Sequence, residues 1–193
     1  KAFEALGAAV EEIRIDIPDV ENTFLALRSQ QFVIDRELQL QSHRDKIKPD
    51  IIWTTEIGLK QSISDLAAAE RGRTALYRQF ADLFNQYDLI VTPGANTPAF
   101  DVDLRHPEVI DGVKLEHYMA ASTLTAAVTL SASPALALPC GFDQYGRPIG
   151  LQVVGRPRGE AELLAACALY ERESSLDEQI PIDPRAGTAP PVD

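Results

Sequence analysis

Among 193 residues, 29 Asp and Glu outweigh 18 Lys and Arg, a formal charge of −11 that disfavours nucleic acid and anionic membranes as partners. Hydrophobic residues at 45% and charged residues at 24% match ordinary globular usage, which excludes a disordered chain and gives one sizeable core. The two cysteines, Cys140 and Cys167, form no C-x-x-C pair, so neither a zinc site nor a disulfide framework is expected, and a reducing, cytoplasmic setting is the default.

Lys1 to Gly7 reads as the last turns of a helix closed by glycine, with no signal-peptide pattern. The expectation is that Lys1 lies inside a larger protein. Val10, Ile13, Ile15 and Ile17 alternate with polar residues up to Pro18, predicting a strand, after which Asp19 can cap a helix. From Phe24 to about Ser42, Phe24, Leu27, Ile34 and Leu38 fall at helical spacing. Pro49 breaks the chain, and Asp50 to Gly58 suits a short helix.

Ser62 and Asp65 form a capping-box pattern that opens a helix whose inner face is Leu66, Ala69, Leu76, Phe80, Leu83 and Tyr87. Asp88 to Thr92 is a short β-rich run ended by Pro93-Gly94, and the stretch to Leu115 is a long loop of the kind that shapes a site. Glu116 to about Ser131 reads as a helix. Pro134 to Leu138, ended by Pro139, pairs as a hairpin with the strand carrying Ile149, Leu151 and Val153. The last helix, from Gly159-Glu160 through Arg172, is apolar on most sides and should be covered by other structure. His117 to Phe142 carries no Asp, Glu, Lys or Arg, but Pro134, Pro139, Gly141 and six Ser or Thr residues between Ser122 and Ser133 mark it as buried core, not a membrane span. Residues 1–175 are expected to form a single α/β unit and 176–193 a fraying tail.

The common hydrolase, nucleotide-binding and metalloprotease motifs are absent. His43, His106 and His117 are scattered and read as exposed helix-end or loop residues. Cys140 at a strand end reads as a small packed apolar residue, and its use as a nucleophile lacks an identifiable base; Cys167 reads as core. Ser131 and Ser133 have no adjacent Lys or His and are better explained by packing and capping.

One assemblage points further. Asp88-Leu89-Ile90-Val91-Thr92-Pro93, then Pro134-Ala135-Leu136-Ala137-Leu138-Pro139-Cys140-Gly141-Phe142, then Gly146-Arg147-Pro148-Ile149-Gly150-Leu151-Gln152 and a helix rich in Glu, Leu and Ala resemble the C-terminal part of the amidase signature family. The opening Ala2 to Asp16 resembles that family's helix and strand just after its catalytic region. The resemblance covers about Lys1 to Arg172 and departs from the pattern at Ser131-Ala132-Ser133, where the family commonly has a glycine.

The resemblance implies an α/β fold with a mixed β-sheet flanked by helices, the C-terminal part of an amidase-signature-type fold. It implies amide hydrolysis by a serine nucleophile, a second serine in a cis peptide and a lysine base, all upstream of the matched region. No catalytic residue is therefore assigned here, and no cofactor or metal is called for. A serine site of that kind needs walls that exclude water and orient the substrate. Thr92, Pro93, Gly94 and Thr97 of the loop after the first strand, with Gln152, are the expected substrate-binding residues. The helix beginning near His117, and Trp53 and Phe100 as apolar lining, are further candidates.

Partners implied are a small-molecule amide substrate and the N-terminal part of the same protein; a homodimer is compatible. The family's branch acting on misacylated tRNA carries an acidic residue where Ser122 stands, which favours a plain amidase. The rival reading is a non-catalytic binding or assembly module with an amidase-like fold.

Overall fold

The computed structural model describes residues 1–17 and 19–175, so the expected tail at 176–193 lies outside the described residues. Helix α1 (Ala2–Ala5) ends as expected at Gly7, whose φ of 89° lets the Gly7 and Ala8 amides donate back to the Glu4 and Phe3 carbonyls. The next segment is not a strand. Ile13, Ile15 and Ile17 do alternate inward, and Ile15 and Ile17 pack on the core, but no neighbouring strand pairs with them among the described residues. The period of two here records an extended chain lying on a core, which needs no ladder.

Helix α2 (Val20–His43) follows Asp19, which sits in the left-handed region at φ 57°. Its carboxylate accepts from the Asn22 side chain at 2.6 Å, in place of the expected cap on the helix amides. Phe24 and Leu27 pack on the core, but Ile34 and Leu38 are 69% and 77% exposed. The inner face has shifted because the second half of α2 lies against α3 (Pro49–Lys60) through Ser29 and Val33. Proline begins α3, where its missing N–H costs nothing.

Helix α4 (Ile63–Leu83) has both bonds of the capping box: Ser62 Oγ accepts from the Asp65 amide, and the Asp65 carboxylate accepts from the Ser62 amide at 2.9 Å. Ser62→Ala should therefore lower stability by about 1 kcal/mol, read from the urea midpoint. Ala69, Leu76 and Phe80 of its expected inner face are buried.

Strand β1 (Leu89–Pro93) pairs antiparallel with β5 (Pro148–Gly155), which pairs antiparallel with β4 (Ala135–Phe142). The α/β class is as expected, and the sheet order is β1-β5-β4, with antiparallel pairing throughout the described residues where the resemblance implies a mixed sheet. The reason is local: a short turn makes β4 and β5 a hairpin, and β1 runs against β5. Strand β4 also passes through Pro139, because an edge strand tolerates proline, with a bulge between Pro139 and Gly141.

Inside the long loop, β2 (Val109–Ile110) and β3 (Val113–Lys114) form a small hairpin around Asp111-Gly112, both at positive φ. A 3-10 turn (Tyr118–Ser122) precedes α5 (Thr123–Leu130), so the helix expected from Glu116 becomes α-helical only at Thr123. Helix α6 (Glu160–Ser174) closes the described chain.

Residues opposite one another on antiparallel strands share a face. One face carries Ile90 and Val154 into a core with Leu76 and Phe80 of α4, Phe84 just beyond it and Leu130 of α5. The other carries Leu138 and Val153 against Leu163, Cys167 and Tyr170 of α6. Helix α1 adds Phe3, whose ring stacks on Tyr170 with centroids 5.1 Å apart, but Leu164 and Leu169 of α6 stay 56% and 46% exposed. No described helix is long and apolar enough to cross a membrane.

Candidate functional site

Four of the five expected site residues, Thr92, Pro93, Gly94 and Gln152, lie together at one end of the sheet, and Thr97 lies in the loop beyond them. Thr92 lies opposite Gln152, which lies opposite Ala137, so the three form a row on the face that carries Ile90 and Val154, two residues further along each strand. The helices cover Ile90 and Val154 but leave Ala137 and Gly150 exposed. Gln152 is buried and donates Nε2 to Thr92 Oγ1 at 3.1 Å, and that hydroxyl donates to the Pro93 carbonyl at 3.1 Å. The Thr92–Gln152 pair, the polar side chains of an otherwise apolar sheet, marks where the sheet stops being core.

Beyond Pro93 the Gly94 amide donates to the Gly150 carbonyl at 2.8 Å. A Cβ on Gly94 would meet that carbonyl carbon and oxygen at 3.1 Å, so glycine lets the loop leave β1 in contact with β5. Thr97 follows, its hydroxyl donating to the Pro98 carbonyl at 3.3 Å. Sequence reasoning missed Asn96, whose Nδ2 donates to Thr123 Oγ1 at 2.7 Å while its Oδ1 accepts from the Leu124 amide at 3.4 Å. Ser122, the residue before α5, makes no side-chain cap, so Asn96 supplies an acceptor for that helix from 28 positions away. No local motif signals such a cap.

Arg147 reaches the same loop from the β4–β5 turn. Its NH1 donates to the Ala99 carbonyl at 2.7 Å and its Nε to Asp143 Oδ2 at 2.6 Å, with the guanidinium over the Tyr145 ring. Asp143 also accepts from the Tyr145 and Arg147 amides. Partial burial pushes its carboxyl up, but the hydrogen bonds from Arg147 and Tyr145 and the Arg147 charge outweigh that and hold it below the usual carboxylate range.

The other candidates lie elsewhere or differ from expectation. His117 is not an exposed loop residue: its side chain is 12% exposed, with Nε2 3.1 Å from Glu21 and the ring 5.2 Å from Trp53. Its Nδ1 is buried without a partner among the described residues. Trp53 packs on His117 and Tyr118, whereas Phe100 is 46% exposed. Cys140, at the bulge, is exposed, not packed; Cys167 is buried as expected. Ser131 is fully buried and donates to the Val128 carbonyl, consistent with a packing role. Ser42 Oγ and His43 Nδ1 are 2.8 Å apart, but both are exposed neighbours at the end of α2.

Buried Tyr170, hydrogen-bonded to the Pro139 carbonyl at 3.2 Å, has its phenol pushed up to about 12 by burial and by a hydrogen bond with Cys140. The folded state thus holds this proton more tightly than an unfolded chain with the ordinary value of 10.0. The stability it contributes is present below pH 10.0 and lost as pH rises through about 12. Tyr170→Phe should flatten that alkaline decline in denaturation midpoints.

Chemically, the row Thr92, Gln152 and the Gly94–Thr97 loop offers hydroxyl, amide and backbone groups that can orient a polar ligand, without a nucleophile beside a base. Among the described residues no group of three or more His, Cys, Asp or Glu could hold a metal. A cavity of about 460 Å³ between α2 and α4, lined by Thr23, Ala69 and Gly72 among others, includes none of the five.

Known proteins give this arrangement its context. The family model described as Amidase matches residues 33–164, well over half of the chain. The chain is 37% identical over 114 residues to a glutamyl-tRNA(Gln) amidotransferase subunit of Thermodesulfovibrio yellowstonii, covering 59% of this chain and 22% of that protein. The Moorella thermoacetica protein of the same name is 38% identical over 109 residues, 56% of this chain and 21% of the relative. Among solved structures, a bacterial aryl acylamidase of the amidase signature enzymes superposes with TM-score 0.80 at 21% identity, over 92% of this chain and 39% of that one. A structure named amidase superposes with TM-score 0.79 at 26% identity, over 88% of this chain and 39% of its own. The matched region is thus about a fifth of the curated relatives' length. The fold is that of the amidase signature enzymes, and the chain belongs to the amidase family.

Proposed function

We propose that this chain is the C-terminal portion of an amidase that hydrolyses carboxylic amide bonds by serine nucleophile chemistry. The observation that carries the reading is the alignment of nearly the whole chain with 39% of the aryl acylamidase and of the amidase structure, together with a site face that holds orienting groups but no nucleophile–base pair. In this reading residues 1–175 are one α/β unit of a larger amidase domain. The serine, second serine and lysine come from the part preceding Lys1, and Thr92, Pro93, Gly94, Thr97 and Gln152 wall the substrate pocket.

The partners are a small-molecule amide substrate and the N-terminal part of the same protein. Exposed Ile34 and Leu38 on α2 and Leu164 and Leu169 on α6 support such a covering part. The uncharged Ser122 favours a plain amidase over the tRNA-dependent branch whose name the curated relatives carry.

A fluorophosphonate that labels activated serines tests this without knowledge of the substrate. The expected result is labelling of a serine upstream of Lys1 in the longer protein, and neither labelling nor amide turnover in the 193-residue chain alone. A labelled residue within 1–193, with turnover that survives dilution, would contradict it. No labelled serine in either form would favour the non-catalytic binding or assembly module.

A further inference from the structure

The loop that carries Thr97 is long and polar, yet it is tied to three separate elements within six residues. At its root the Gly94 amide is bonded to the Gly150 carbonyl of β5 at 2.8 Å. In the middle, Asn96 bonds both Thr123 Oγ1 and the Leu124 amide at the start of α5. At the far end the Ala99 carbonyl accepts from Arg147 at 2.7 Å. Arg147 is itself fixed on two sides, by Asp143 Oδ2 at 2.6 Å and by the Tyr145 ring 5.2 Å from its guanidinium carbon. A guanidinium whose charge is matched by Asp143 and whose NH1 holds a backbone carbonyl is a clamp, not a free anchor for an anionic substrate. Thr97 lies between the second and third ties.

We propose that Asn96 and Arg147 are positioning residues that hold the 94–99 loop as a preformed wall of the substrate pocket, so that they set substrate affinity without touching the reacting atoms. The proposal rests on the amidase reading for its consequence in catalysis and on geometry alone for the clamp. Without Asn96 the loop loses both side-chain hydrogen bonds that tie it to α5 between the two end ties, and the first turn of α5 loses an acceptor. Without Arg147 the Ala99 end is released while Gly94 stays bonded to the sheet. A wall misplaced by about 1 Å can cost up to about a hundredfold in catalysis.

The test uses the longer protein and three readouts. Hydrogen exchange of the Leu124 amide should speed up by about tenfold or more in Asn96→Ala, and proteolytic cleavage within 94–99 should speed up in both Asn96→Ala and Arg147→Ala. In amide hydrolysis, Asn96→Ala should raise KM by about tenfold with kcat within about twofold, because a merely destabilised enzyme loses kcat through lost active molecules at unchanged KM. Asn96→Asp keeps acceptors for the Leu124 amide and the Thr123 hydroxyl and should restore KM. Arg147→Lys, a single ammonium that cannot serve Asp143 and Ala99 together in the same fork, should not.

Unchanged Leu124 exchange in Asn96→Ala together with unchanged cleavage within 94–99 in both alanine variants would overturn the clamp, and a fall in kcat at constant KM would overturn its role in binding. A protein without amide hydrolysis would sink the proposed function instead, and faster exchange in it would still uphold the clamp.

Discussion

Phe80→Ala should destabilise the protein by about 3–5 kcal/mol, the range for deleting a fully buried phenylalanine from a core. Phe80 is 3% exposed and lies in the cluster that joins α4 to Ile90 and Val154 of the sheet and to Leu130 of α5. Removing the ring deletes the layer between helix and strand, and the β1–β5 pairing limits how far the hole can collapse. Domain stabilities are typically about 5–15 kcal/mol, so this one change would consume a large share of the total. Arg78→Ala, at an exposed position of the same helix, should stay within about 0.5 kcal/mol. Urea denaturation of both variants checks the contrast. Equal midpoints would mean that α4 does not close this core.

Gly58→Ala is the second large effect, and its sign is decided by two opposing terms. Alanine favours a helix over glycine by about 1 kcal/mol, so substitution inside α3 would ordinarily stabilise. Here a Cβ would run into the Ser29 carbonyl oxygen, with the Ser29 carbonyl carbon at 2.8 Å and Val33 Cγ2 at 2.7 Å. The obstructing atoms are largely backbone of α2, which cannot rotate away, so the two helices must separate. Overpacking of this kind costs about 1–3 kcal/mol and occasionally more, and where backbone blocks relief it outweighs the propensity gain. The expected outcome is a net loss of about 2 kcal/mol and a lower melting temperature. A higher melting temperature would show that α2 and α3 are not held at this distance.

Much of the fold is legible in the sequence because its signals are local. The Ser62–Asp65 box, the Pro93-Gly94 stop after Thr92 and the alternation in Ile149, Leu151 and Val153 each act within a few residues, and each produces the element expected. What cannot be read depends on partners distant in sequence. Residues 10–17 alternate as a strand would, but pairing needs a neighbour that the alternation does not specify. Ile34 and Leu38 sit at helical spacing with Phe24, yet close contact at Gly58 turns a different side of α2 inward. Asp111-Gly112 is a hairpin signal, but the two strands it joins are only two residues each and do not stand out within the long loop.

The candidate site divides in the same way. Thr92 and Gln152 can be named from the strand motifs, and strand register then brings them side by side. Asn96 and Arg147 escape notice because their roles lie in contacts across 27 and 48 positions, to Thr123 and Ala99. The exposure of Cys140 goes with the bulge after Pro139, and the partial burial of His117 with its packing on Trp53 and Glu21.

The central proposal is that this chain is one part of a serine-dependent amidase, and the most direct measurement is the nucleotide sequence of its gene upstream of Lys1. The account predicts an open reading frame that continues upstream through a Gly- and Ser-rich segment with a Ser-Ser pair, preceded at some distance by a lysine. A start codon immediately before Lys1, or an upstream region lacking those residues, would contradict it and leave an amidase-shaped scaffold without a nucleophile.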